Sequence, residues 1–180
     1  MTAALHDLRG NRPGRILPVI ILSQFAGTSL WFASNAIMTD LQTSWGINSN
    51  AVSNITSMIQ FGFIFGTLFV AFFSISDRFS PRMIFLFSSL FGATCNFLIV
   101  VVPRDIATLL ALRFLTGIAL AGIYPVGMKI ASGWYRHGLG NALGFLVGAL
   151  VLGTAFPHLL RGLEHAFFWQ QVLIAVSSFL

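Results

Sequence analysis

Most residues able to do chemistry in this 180-residue chain are charged side chains set between long apolar runs. The stretch SISDRFSPR, residues 74–82, holds Asp77, Arg78 and Arg82, and the runs on both sides of it carry no charge. Arg113 stands alone in a further apolar run, LLALRFLTG. These four residues are the first candidates for binding or gating, and the elements around them must position them.

The patterns typical of enzymes are missing from the sequence. The histidines are scattered, Cys95 is the single cysteine, and the five acids all fall in tails or loops rather than in pairs. There is no metal-ligand spacing, no Walker-type phosphate loop and no dinucleotide fingerprint. We therefore expect no enzyme activity, no bound metal and no cofactor.

The composition is that of an integral membrane protein. The chain is 56% apolar and only 8% charged, whereas soluble domains carry about 25% charged residues. The net charge of +5 would suggest nucleic acid in a soluble protein. Here the bases lie between apolar runs, so they indicate orientation in a lipid bilayer, and we expect no nucleic-acid partner.

The apolar runs predict an all-α membrane bundle. A spanning helix needs about 20 apolar residues, and short connections leave no room for a soluble domain. The predicted spans are Ile16–Ile37, Ala51–Ile75, Met83–Val102, Ile106–Ile130, Gly138–Leu160 and Ala166–Leu180. The sixth run is too short to cross, so we expect the chain to be a fragment, with a tail at 1–15 and a six-helix bundle at 16–180.

The basic residues predict the orientation of the bundle. Seven of the ten Lys and Arg residues lie on the side of the N-terminus, two lie on the other side, and Arg113 lies within a span. Since Lys and Arg concentrate in cytoplasmic loops, we expect a multi-pass protein of the cell membrane with a cytoplasmic N-terminus. On this reading residues 74–82 form a cytoplasmic loop that helps to set topology.

Arg113 is the most informative single residue. It lies about seven residues, or roughly 10 Å, into the fourth span. A charge at that depth faces a bundle interior or a wet cavity as an anchor or gating group, or else its stem snorkels to the interface. No acid lies in any predicted span to pair with it. Gln24, Asn35 and Gln60 are further polar candidates for substrate binding or coupling.

Glycines recur at helical spacing in two of the predicted spans. Gly62 and Gly66 are four residues apart in the second span, and Gly140, Gly144 and Gly148 repeat the spacing in the fifth. Four-residue spacing puts them on one face, where backbones can approach closely. The spacing is compatible with two interpretations, static helix packing and an interface that slides during transport. Gly153 and Pro157 weaken the later part of the fifth span.

Together these motifs resemble the major facilitator superfamily. Asp77, Arg78 and Arg82 match three positions of its loop between spans two and three, although Phe73, Ser80 and Pro81 depart from the pattern. Arg113 and Gly117 match the family's second motif. The fifth span is similarly rich in glycine, but Gly153 and an isolated Pro157 replace the paired residues of drug–proton antiporters.

The resemblance implies a fold and an activity. The chain would be the N-terminal six-helix half of a twelve-helix secondary active transporter, which moves a small solute by alternating access. The missing C-terminal half would be its partner, and residues 74–82 would form a gate against it. Arg113 puts an anionic solute among the candidates. Non-transporting alternatives are a membrane sensor, an assembly scaffold or a degenerate half-carrier.

Overall fold

The computed structural model describes residues 15–36, 42–43, 46, 48–102, 105–135, 138–163 and 169–178, and this part of the chain is helical. Eight helices are used below. They are α1 (Ile16–Ala36), α2 (Ser49–Phe72), α3 (Ile75–Arg78), α4 (Pro81–Val101), α5 (Ile106–Ala121), α6 (Tyr124–Trp134), α7 (Leu139–Leu163) and α8 (Trp169–Ser178).

Several of these helices have the length and composition needed to cross a membrane. Val52–Phe72, Pro81–Val101 and the continuous stretch Ile106–Trp134 are each long and apolar enough to cross a bilayer. Shorter apolar stretches are Ile16–Trp31 and Leu139–Ala155. Large apolar side chains are exposed along α2, including Phe61, Phe65 and Phe72. A soluble protein rarely presents such a surface, so these side chains indicate contact with lipid.

The predicted second and fourth spans are each interrupted within their predicted bounds. α2 ends at Phe72, and the chain turns through Ser74, whose φ of 50° lies in the left-handed region, before the single turn of α3. The fourth span is divided into α5 and α6 at Gly122 and Ile123. Pro125 follows this break at the start of α6, where a missing N–H costs no helical hydrogen bond.

The packing of the bundle is organised around two helix pairs. α2 packs along α5, and α1 packs along α7. α4 packs against α5 and α6, and α8 lies against α4 and α1. Gln24 of α1 lies against Gly127 of α6, while Trp31 of α1 contacts Arg113 of α5. Later residues of α1 thus meet earlier residues of the fourth span, so these helices run antiparallel.

The core where α1, α2, α4, α5 and α8 meet is mostly aliphatic. Its fully buried members include Leu30, Ile55, Ile59, Leu120 and Leu173. Arg113 and Gln24 are buried among them with no exposed surface. The fold therefore places its two most costly polar side chains inside the bundle, and each must be explained by its partners.

Candidate functional site

The loop at residues 74–82 is fastened to the fourth span. The Nζ of Lys129 on α6 forms an ion pair with the carboxylate of Asp77, and it also donates to the Ser76 carbonyl oxygen at 2.5 Å. Farther along the loop, the guanidinium of Arg82 lies 5.8 Å from the ring centroid of Trp134. α6 therefore holds the loop at two points, by an ion pair and by a cation–π contact.

The two central charges of the loop have different surroundings. Asp77 is engaged by Lys129 of its own bundle. The side chain of Arg78 is exposed and makes no hydrogen bond or ion pair with the described residues, while its main-chain N–H donates to the Ser74 carbonyl at 3.1 Å. In the sequence, Lys129 counts only as one of the seven basic residues that indicate orientation. Lys129 and Trp134 each lie 52 residues from the loop residue that they contact, and these contacts depend on how α6 packs.

Arg113 turns into the bundle rather than snorkelling to a surface. Its Nη2 donates to the main-chain oxygen of Trp31 at 3.1 Å, which joins α5 to α1. Its Nε and Nη1 atoms are buried and have no hydrogen-bond partner among the described residues. A backbone carbonyl therefore serves one nitrogen of the guanidinium, and the other two nitrogens retain donating capacity.

The other polar candidates do not gather around Arg113. Gln24 is fully buried on α1, and neither Nε2 nor Oε1 has a described hydrogen-bond partner. Gln60 is exposed on α2. Asn35 belongs to α1, but its side chain lies outside the part that the structure describes. A contribution of these side chains to binding or coupling stays a prediction.

The glycines of α2 and α5 lie where two backbones approach each other. A Cβ at Gly62 would overlap the Phe114 carbonyl oxygen and lie 3.1 Å from the Cα of Gly117. A Cβ at Gly117 would lie 2.8 Å from the Phe63 nitrogen, and one at Gly66 would lie 2.9 Å from the Cα of Ile118. Such distances leave no room for a side chain, because backbone atoms cannot move aside singly.

The glycines of α7 divide into two groups. A Cβ at Gly153 would lie 2.7 Å from Thr28 Oγ1 and 3.1 Å from the Phe25 carbonyl oxygen, so Gly153 packs on α1. Gly140, Gly144 and Gly148 are exposed, and nothing lies within 4 Å of the Cβ that each would carry. Their packing role stays a prediction. Pro157 lies within the continuous helix α7, and its side chain is outside the described part.

One cavity opens between α1, α4 and α6 at the predicted cytoplasmic end. It measures about 350 Å³. Its wall is apolar apart from a few groups, among them Arg15, Ser23 and Arg82. In the described residues, no three His, Cys, Asp or Glu side chains are grouped so that they would hold a metal ion. The cavity wall offers the guanidinium groups of Arg15 and Arg82 and the hydroxyl of Ser23 for non-covalent binding.

Comparison with known proteins identifies relatives of the chain. The family model described as Major Facilitator Superfamily matches residues 20–180. The chain is 28% identical over 155 residues to a "Triacylglyceride transporter" of Mycobacteroides abscessus, a match that covers 79% of this chain and 29% of the relative. It is 31% identical over 136 residues to "Niacin transporter NiaP" of Acinetobacter baylyi, which covers 68% of this chain and 29% of that protein. The matched part is thus under a third of each relative.

Proposed function

The chain belongs to the major facilitator superfamily, and from that premise we propose that it forms the N-terminal half of a twelve-helix secondary transporter. In this proposal residues 1–15 are a cytoplasmic tail and residues 16–180 build the six-helix half in the cell membrane. A small solute binds between this half and a C-terminal half, and the two halves rock to expose the solute to each side in turn. The names of both relatives and the apolar helices support transport across a membrane.

The observation that carries this proposal is the position of Arg113. The guanidinium is buried at the contact of α1 and α5, bonded to the Trp31 carbonyl and retaining two nitrogens without a described partner. A buried cation bonded to a neutral carbonyl is poorly compensated, so a small movement of α1 or arrival of an anion improves its environment. Arg113 is thus placed to respond to the solute and to couple that response to helix movement.

Gating is the proposed role of the loop at residues 74–82. Lys129 and Trp134 hold Asp77 and Arg82 against α6. Arg78 remains exposed on the same loop. We assign Arg78 to the contact with the C-terminal half, where a carboxylate or a helix C-terminus would attract it. The in-bundle contacts then keep the loop in the right place for that contact.

The substrate class that we propose is a small organic anion. One relative is named for niacin, which is a carboxylate at neutral pH, and the other is named for a neutral lipid. Arg113 favours the anion, because no acid occurs in the predicted spans to neutralise its charge. Gln24, Asn35 and Gln60 remain proposed contributors to binding or coupling.

Uptake of a matched pair of solutes tests the proposal. The complete carrier, reconstituted in vesicles, should accumulate radiolabelled nicotinate but not nicotinamide, which has the same ring and no charge. Arg113→Ala should reduce nicotinate uptake to the background of empty vesicles while membrane insertion is retained. Arg113→Lys keeps the charge but loses the planar fork, so partial uptake is expected.

Each alternative outcome has a definite meaning. Equal uptake of both solutes would contradict the anion assignment. Normal nicotinate uptake by Arg113→Ala would remove Arg113 from the mechanism. Binding of nicotinate without accumulation would instead indicate a membrane sensor on the same fold.

A further inference from the structure

The two main helix pairs of the bundle share one register. In the α2–α5 pair, the missing Cβ of Gly62 faces the carbonyl of Phe114. In the α1–α7 pair, the missing Cβ of Gly153 faces the carbonyl of Phe25. Phe25 on α1 and Phe114 on α5 therefore occupy equivalent places. The residue before each of them is a buried polar side chain, Gln24 in α1 and Arg113 in α5.

The pattern of exposure follows the same register. Two residues before Gln24 and Arg113, Leu22 and Ala111 are both exposed. Gln24 and Arg113 have no exposed surface at all. Four residues later, Thr28 and Gly117 are both buried at the seams that the glycines form. α1 and α5 thus present equivalent faces to their surroundings, as expected of repeats related by an in-plane axis.

Because α1 runs antiparallel to the fourth span, the equivalent residues lie towards opposite ends of the bundle. Gln24 lies eight residues after the start of α1 and Arg113 seven residues after the start of α5. At 1.5 Å per residue these depths are about 12 Å and 10 Å from opposite surfaces. Both side chains face across the contact between α1 and the α5–α6 span.

The two positions differ in what they bind. Arg113 bonds directly to α1, donating from Nη2 to the Trp31 carbonyl. The Gln24 carboxamide lies against the backbone at Gly127 of α6, with Cδ 3.2 Å from where a Cβ would stand. Neither of its polar atoms is hydrogen-bonded by the residues described. A buried amide in this condition is unfavourable, so an arrangement that supplies it with a backbone partner would gain stability.

We propose that Gln24 is the counterpart of Arg113, and that the two side chains alternate in holding α1 to the fourth span. In the state seen here Arg113 is bonded to α1 and Gln24 is not bonded to α6. In the opposite access state Gln24 bonds the α6 backbone near Gly127 and the Arg113–Trp31 bond is released. Gln24 is then a positioning residue that acts on the equilibrium between states. This inference rests on the proposed transport function.

The backbone near Gly127 is able to receive the carboxamide. The division of the fourth span at Gly122 and Ile123 interrupts its helical hydrogen bonding, and Pro125 has no N–H to donate to the Ala121 carbonyl. Glycine at position 127 allows the carboxamide to approach the main chain directly, since a side chain there would collide with it. The acceptor that the proposal requires is therefore a carbonyl at the break between α5 and α6, since the Gly127 N–H itself donates to the Ile123 carbonyl at 2.8 Å.

Cysteine accessibility in the complete carrier tests the alternation. In a Cys95→Ser background, Leu22→Cys and Ala111→Cys report the two equivalent exposed positions when labelled by a membrane-impermeant maleimide from each side. Gln24→Leu should shift the ratio of the two labelling rates by about fivefold towards the state seen here, the size expected for one lost neutral hydrogen bond. Arg113→Leu should shift the same ratio in the opposite direction.

The double variant and a matched control separate this role from a general structural one. Gln24→Leu combined with Arg113→Leu should return the labelling ratio close to that of the parent, although solute transport is lost. Gln171→Leu makes the same chemical change at an exposed position of α8 and should leave the ratio unchanged. Shifts of the two single variants in the same direction, or no shift for Gln24→Leu, would overturn the inference.

The experiment also distinguishes failure of the inference from failure of the proposed function. If the parent protein is labelled from one side only under all conditions, alternating access itself is wrong. If the parent is labelled from both sides but Gln24→Leu has no effect, transport stands and the role of Gln24 is rejected. Loss of nicotinate uptake alone affects the solute assignment and leaves the alternation of Gln24 and Arg113 standing.

Discussion

The seam between α2 and α5 and the seam between α1 and α7 are equivalent in register but differ in how they are closed. Gly62, Gly66 and Gly117 bring the backbones of α2 and α5 into direct approach. The α1–α7 seam has Gly153 on one side only, and Gly153 faces the hydroxyl of Thr28. Where two backbones are in direct contact, neither can move without moving its helix. Where a side chain lies in the contact, the side chain can move and the helix spacing can adjust.

The hydroxyl groups of α1 show where that adjustment lies. Thr28 Oγ1 donates to the Gln24 carbonyl at 2.8 Å, and Ser29 Oγ donates to the Ala26 carbonyl at 2.6 Å. Both hydroxyl groups are thus hydrogen-bonded to carbonyl oxygens of α1 itself, as Ser and Thr hydroxyls in helices often are. Neither needs a bond from α7, so α7 can shift along α1 without leaving a buried group unsatisfied. We infer that α2–α5 is the fixed seam and α1–α7 the adjustable one.

The largest expected effect is at the fixed seam. Gly62→Ala places a methyl group into the Phe114 carbonyl, and the chain can relieve the overlap only by separating α2 from α5. We expect a loss of about 3 kcal/mol in the free energy of unfolding, at the upper end for overpacking. Denaturant titration of the chain in detergent measures it. Gly133→Ala, where nothing lies within 4 Å, is the matched control and should not destabilise.

A smaller effect is expected at the adjustable seam. Gly153→Ala meets Thr28 Oγ1 at 2.7 Å and should cost about 1 kcal/mol in the same titration. Thr28→Ala removes that oxygen, so the double variant should recover part of the loss. A Gly153→Ala variant as unstable as Gly62→Ala, with no recovery by Thr28→Ala, would mean that the two seams are equally rigid.

The next effect concerns the end of the fixed seam, where Lys129 ties the loop after α2 to α6. Lys129→Met keeps most of the side-chain volume but removes the ion pair with Asp77 and the bond to Ser76. Stability should fall by less than about 1 kcal/mol, since the pair is partly exposed. Hydrogen exchange of the amides of residues 75–78 should accelerate clearly. Unchanged exchange would show that the Arg82–Trp134 contact alone holds the loop.

The smallest effect is expected at the other end of the same seam. Asp105 is the N-cap of α5, and hydrogen bonds from the backbone and side chain of Thr108 lower the pKa of its carboxyl below the ordinary 3.8. A depressed pKa means that the cap contributes fully above pH 3.8 and is lost as the pH falls through the folded-state value. Asp105→Ala should therefore lower Tm slightly at pH 7.

The pH dependence of that difference is the sharper measurement. The gap in Tm between the parent and Asp105→Ala should shrink as the pH is taken below 3.8. Asp105→Asn caps a helix without titrating, so its Tm relative to Asp105→Ala should not depend on pH through this group. A gap that persists at low pH would assign the effect of Asp105→Ala to the loss of a contact rather than to a charged cap.

Much of the fold follows from local sequence, and each exception has its own physical reason. The start of the fourth span at Ile106 agrees with prediction, because an apolar run and its capping residue are local signals. The division of that span comes at Gly122 and Ile123, just before Pro125. Pro125 is compatible with a helix start, so its position alone did not show which residues would leave the helix.

The candidate site was only partly predictable, as its residues show. The depth of Arg113 in an apolar run was read from the sequence, but its bond to Trp31 joins residues 82 positions apart. Gln24 was one of several polar residues in the spans, and its equivalence to Arg113 emerged only from the contacts of Gly62 and Gly153. Lys129 was missed as a partner of Asp77 because nothing near either residue in sequence connects them.

The sequence by itself determined the membrane class, the family and which residues share a helix face, because apolar content and helical period are local properties. Only the tertiary structure decided what each face meets. Gly62 and Gly66 share their spacing with Gly144 and Gly148, yet the first pair is buried against α5 and the second is exposed. Spacing places glycines on one face, but the rotation of that face towards a neighbour is set by packing among helices distant in sequence.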